Sequence, residues 1–218
     1  MLVIQAEYRP LTGLSHTLFA EGVFVVRMVE LSVPTGVDPE DSAYVENPVT
    51  GERFHFHSRP DTPATDPLGV DIWAISNMSP LAEHVHPRQN ETFVVNSGTM
   101  ELSQRGDVKT LTVGDEATAE AGTPHTWSNA GDEELHLSVQ FEPALESEAF
   151  LRDLATLAQR GEVKSDGAPS LLQVAVLYDA YGYDLLHLAS PPLSVQKVLF
   201  GALAPLAKNL GYRAKPVA

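Results

Sequence analysis

The chain has 218 residues, 43% apolar and 20% charged, a globular composition that accommodates one domain with appendages and crowds two. Fourteen Lys and Arg against 29 Asp and Glu leave a net charge of -15, which repels phosphate backbones and anionic headgroups and so argues against nucleic acid and membrane surfaces as partners. With no cysteine, disulfides, thiolate nucleophiles, iron–sulfur clusters and cysteine-ligated zinc are excluded, and any metal must sit on His and carboxylates.

Residues 1–45 mix short apolar runs such as Val23–Val26 with turn signals at Pro34-Thr35-Gly36 and an acidic patch at Asp38–Asp41; they read as an N-terminal arm or extension. The first residues lack a basic stretch followed by a long apolar run, and no segment approaches the length of a membrane span, so the expected location is the cytoplasm. From residue 46 to 143 short apolar or alternating segments are punctuated by Gly, Pro, Asn and Asp, the mark of consecutive strands and tight turns. Strands are expected over 70–76, 91–96, 99–104, 108–112, 117–120, 125–128 and 134–141, an antiparallel sandwich or barrel. Phe93, Val95, Met100, Trp127, Leu137 and Phe141 are candidate interior residues, and Trp73 is either a pocket wall or a plug against helices.

Past Pro143 the period changes. Residues 146–160 place apolar side chains on one helical face, and 170–181 and 194–210 read as two further helices, making 144–218 a helical tail. Ser194 is the expected N-cap of the last helix, Pro205 is expected to kink it, and Lys208, Arg213 and Lys215 suit the negative end of its dipole. Its stripe of Leu199, Phe200, Leu203 and Leu206 is read mainly as packing against the barrel or a sister subunit, with a partner protein or a membrane surface as other uses.

Chemistry concentrates in His84-Val85-His86, followed by Glu91 and Gly98, and later by Gly114, Gly122, His125 and Asn129. On a strand, residues i and i+2 share a face, so His84 and His86 present two imidazoles to one side. The turn at Pro87–Asn90 then lets Glu91 face the same interior from the next strand, and His125 arrives from a distant one. Three neutral imidazoles and a carboxylate suit a divalent ion of the mid-series, Mn, Fe, Co, Ni or Zn, with positions left for water or substrate. His55-Phe56-His57 supplies a control: the same dyad has Thr62 where the acid would stand, and reads as a solvent-facing strand with Phe54 and Phe56 turned inward.

These residues resemble the two motifs of the cupin superfamily, H-x-H-x(4)-E-x(6)-G and G-x(5)-P-x-G-x(2)-H-x(3)-N. His84, His86, Glu91 and Gly98 match the first, and Gly114, Gly122, His125 and Asn129 the second. Met78 stands where the first motif opens with Gly, and Glu120 where the second has Pro; both departures bear on loop shape and leave the ligand types intact. The resemblance implies a mainly β fold, the double-stranded β-helix or jelly-roll barrel, with a C-terminal helical extension and a divalent metal held by His84, His86, Glu91 and His125. Trp127 and Asn129 are the expected tuning residues around that set. The functions it implies are a metal-dependent oxygenase or isomerase acting on a small molecule, or a non-catalytic module that binds or senses a small ligand; a homodimer is the expected assembly.

Overall fold

The structure is a computed structural model that describes residues 28–58, 63–76, 78 and 80–214, so most of the expected N-terminal arm lies outside the described residues, as does Lys215. Among the described residues, eleven strands and three helices follow one another in chain order. Ten strands come first: β1 Tyr44–Asn47, β2 Glu52–Phe56, β3 Leu68–Ala74, β4 His84–Val85, β5 Asn90–Ser97, β6 Thr99–Gln104, β7 Asp107–Thr112, β8 Glu116–Ala119, β9 His125–Asn129 and β10 Leu135–Glu142. Helices α1 Ser147–Gln159 and α2 Leu171–Tyr181, strand β11 His187–Leu188 and helix α3 Leu193–Asn209 complete the chain.

The strands make two antiparallel sheets. One has the order β1-β2-β3-β10-β5-β8 and the other β11-β4-β9-β6-β7, the arrangement of a jelly-roll barrel with C-terminal helices. Period-two alternation drives the closure: along β5 Glu91, Phe93 and Val95 point inward, along β10 Leu135, Leu137, Val139 and Phe141, and along β9 His125, Trp127 and Asn129. Each of the six interior candidates is buried, and the core they share includes Met78, so the larger residue at the motif's opening position packs inside. At Gly98 the motif glycine is obligatory in space. Its φ is 80°, and a Cβ there would come within 2.8 Å of the Glu134 carbonyl oxygen.

Several expectations need correction. The strand read over 70–76 runs over Leu68–Ala74, because Ile75 turns away to donate to the Gly51 carbonyl. Trp73 lies on the outer face of the six-stranded sheet rather than in the barrel interior, opposite Arg53 in the register, and stacks on His136 with ring centroids 4.5 Å apart. The last helix begins at Leu193 with Pro192 in the cap position and no side-chain cap bond, Pro's fixed φ replacing the role expected of Ser194. That helix continues through Pro205 as one element. Its buried face is Gln196, Phe200, Ala204 and Ala207, while Leu199 and Leu206 are exposed, because small residues let α3 approach α2 closely. Lys208 pairs with Asp179 of α2, and Arg213 donates to the Lys208 carbonyl, as the dipole argument requires.

Candidate metal centre

Three imidazoles and one carboxylate converge where the two sheets face each other. His84 on β4 stands opposite His125 on β9 in one sheet, His86 follows one residue beyond β4, and Glu91 reaches across from β5 in the other. One ligand atom from each of the four lies within 4.8 Å of the others. Glu91 Oε2 is the hub, 2.9 Å from His125 Nε2 and 3.4 Å from His86 Nε2. His86, Glu91 and His125 are buried, whereas His84 keeps part of its surface, so the cluster opens on the His84 side.

The rings are held from behind. His84 Nδ1 bonds the Ala82 carbonyl, His86 Nδ1 the Leu185 carbonyl and His125 Nδ1 the Thr123 carbonyl, each at 2.9 Å. Because a carbonyl only accepts, each Nδ1 donates its proton there, and a ring that is neutral in this tautomer keeps a lone pair on Nε2 available to a metal. Aromatic rings close the inner side: Phe141 lies 5.8 Å from His86 and Phe93 6.5 Å from both His125 and Trp127, centroid to centroid.

The charges respond to one another. Burial alone would raise the Glu91 carboxyl, but the bonds from His125 and His86 outweigh it and hold the group far below its ordinary range. His125 loses stability as a cation through burial and regains more from Glu91, so its pKa is raised. For His84, burial and the repulsion of His86 and His125 lower the pKa to about 4, keeping this ring neutral.

The four residues singled out by spacing are therefore neighbours in space. Asn129 does something else: its amide donates to the Ala74 and Glu133 carbonyls and its oxygen accepts from Gly131 N, which clamps a loop. The groups that orient the cluster are backbone carbonyls, and that of Leu185 comes from 99 residues further along the chain than His86, a distance no local sequence pattern bridges. The same C-terminal segment adds β11 to the sheet, with Leu188 opposite His84, and Ala189 N donates to the Glu83 carbonyl. His55 and His57 lie elsewhere, on the outer face of the six-stranded sheet, with Phe54 and Phe56 turned into the core as expected.

No helix among the described residues is long and apolar enough to cross a membrane. No curated protein matches the chain. Among solved structures, it is similar to an uncharacterised conserved protein with a double-stranded β-helix domain from Klebsiella pneumoniae, at 27% identity over 50% of this chain and 84% of that one, with a TM-score of 0.37. An RmlC-like cupin from Shewanella frigidimarina matches at 19% identity over 53% of this chain and 96% of that one, with a TM-score of 0.43. The cupin domain of Schizosaccharomyces pombe Cnp3 matches at 10% identity and a TM-score of 0.38, over 42% of this chain and 60% of its own length. The family model described as Cupin domain matches residues 76–141, the segment that contributes all four members of the His84, His86, Glu91 and His125 cluster, and the chain thus carries a cupin domain.

Proposed function

We propose that this protein is a metal-dependent cupin that acts on a small molecule, with His84, His86, Glu91 and His125 holding a divalent cation. The observation that carries the reading is the set of three Nδ1 bonds to backbone carbonyls around one buried carboxylate, which leaves a lone pair on the Nε2 of each neutral ring, with those of His86 and His125 beside Glu91 Oε2. A buried polar cluster kept only for packing has no need of three rings locked in one tautomer. When bound, a Mn, Fe, Co, Ni or Zn ion would supply Lewis acidity or, for a redox-active member, oxygen activation, which are oxygenase and isomerase chemistries. Glu91 would remain anionic and offset the cation's charge, Phe93 and Phe141 would exclude water from the inner side, and the partly exposed His84 would mark the side of substrate approach. Residues 144–218 would serve as a scaffold that fixes the ligand strand through Leu185 and β11.

A second reading, a module that senses a small ligand, has its own support in that same bond: His86 touches the segment between α2 and α3 directly, so a change at His86 would reach it through the Leu185 carbonyl. Turnover separates the two. Apoprotein loaded with each metal in turn is incubated with a mixture of small organic acids and sugars, and products are followed by mass spectrometry against His125→Ala as blank. Metal-dependent gain of oxygen mass supports the oxygenase, and conversion to an isobaric product supports the isomerase. Ligand retention without conversion in any metal form overturns the enzyme in favour of the sensor.

A further inference from the structure

The outer face of the six-stranded sheet carries a second convergence of ligand-type side chains, well separated in chain and in face from the barrel cluster. His55 and His57 are two residues apart at the end of β2, so both rings project outward, 5.4 Å between centroids and nearly perpendicular. The acid missing from their sequence neighbourhood arrives through sheet register, because Asp71 on β3 stands directly opposite His55. One ligand atom each from His55, His57 and Asp71 lie within 4.8 Å of one another.

Asp71 is itself positioned. Its Oδ1 accepts from Ser138 Oγ at 2.8 Å and lies 3.2 Å from His136 Nε2, both on β10, which leaves Oδ2 to the His pair, 2.8 Å from His57 Nε2. Two atoms that ligate one zinc ion at about 2.1 Å in tetrahedral geometry sit about 3.4 Å apart, so the His57–Asp71 pair, 2.8 Å apart, need open by only about 0.6 Å for a cation to replace the proton of that bond. His55 Nε2 lies 3.3 Å from Asp41 Oδ2, an additional carboxylate at the edge of the group. Burial would raise the Asp71 carboxyl, but the bonds from His136, Ser138 and His57 prevail and keep it ionised.

A groove of about 520 Å³ runs beside the group, lined by His57, Gly69, Asp71, Thr92, Ser138 and Gln140 among others. Gly69 contributes no side chain, which keeps the approach to His57 and Asp71 open. Two imidazoles and one carboxylate make an incomplete, nitrogen-rich donor set. It suits borderline ions such as Zn²⁺, Ni²⁺ or Cu²⁺, and it fits poorly with Mg²⁺ or Ca²⁺, which take oxygen ligands.

We propose that His55, His57 and Asp71 form a second divalent-cation site, solvent-facing and open toward the outer groove, with His136 and Ser138 as positioning residues for the carboxylate. It is independent of the barrel cluster and survives its loss. The test is titration of chelator-stripped protein with Zn²⁺ against a chromophoric competitor, in wild type, His57→Ala, Asp71→Asn and the His84→Ala/His125→Ala double variant. Wild type is expected to take two equivalents. His57→Ala removes one, Asp71→Asn weakens one by at least tenfold, and the double variant retains one. If the double variant does not fold, the difference between wild type and His57→Ala still decides. A wild type and a His57→Ala protein with the same stoichiometry and affinities overturn the second site, whatever the barrel cluster does. A wild type with one equivalent that His57→Ala abolishes supports the outer site and counts against the barrel reading instead.

Discussion

At the scale of single residues, the sharpest constraint on the barrel site is protonic. His125 is raised by its pairing with Glu91, so below its pKa a proton occupies the nitrogen that would ligate, whereas His84 stays neutral down to about 4. Lowering the pH through that raised pKa therefore adds a proton that metal must displace, and apparent metal affinity is expected to fall over that interval, with proton release on binding. Titration calorimetry in buffers of different ionisation enthalpy measures both; an affinity flat across the interval contradicts the pairing. Gly98 offers a test of the fold alone. A Cβ there meets backbone at 2.8 Å in a conformation that L-residues avoid, so Gly98→Ala is expected to cost on the order of 2–4 kcal/mol in urea unfolding, and a neutral result would show that the turn relaxes freely.

At the scale of elements, the barrel strands were legible and their attachments were not. Alternation such as Phe93, Val95 in β5 and Leu135, Leu137, Val139 in β10 is written locally, and the expected segments match those strands to within one or two residues. What joins distant elements leaves little local trace. β11 is two residues long and lies between two expected helices, yet it flanks the ligand strand, and the Leu185 carbonyl just before it fixes His86. Asp71 was invisible as a partner of His55 and His57 for the same reason, since only register places it there. The exposed Leu199 and Leu206 show the converse failure: a helical stripe in the sequence is broad, and the face chosen is the one whose small residues fit α2. Gln196 tests the attachment. Fully buried, it donates to the Leu188 and Pro191 carbonyls at 2.8 and 2.6 Å and accepts from Tyr178 at 3.2 Å. Gln196→Ala strands those groups and is expected to destabilise the protein by about 2–3 kcal/mol. It should also speed hydrogen exchange across β11 and β4 more than across β5 and β10; uniform exchange would argue that β11 does not support the ligand strand.

For the molecule as a whole, two sheets of opposite faces meet at one cluster, and the C-terminal helices hold its edge strand in place. A cation bound to the folded state and absent from the unfolded one stabilises by mass action, by about 4 kcal/mol when free metal exceeds Kd a thousandfold. With the outer face silenced by His57→Ala, chelation is thus expected to lower Tm and to leave the same protein bearing His125→Ala unchanged, as thermal unfolding will show. Metal content decides whether His84, His86, Glu91 and His125 hold a divalent metal. Protein made without affinity tag carries His57→Ala to silence the outer face, is offered Mn, Fe, Co, Ni and Zn, and is compared by elemental analysis with the same protein bearing His125→Ala. Close to one ion per chain is expected in the first and close to none in the second. Equal metal in both, or none in either, would contradict that ligand set.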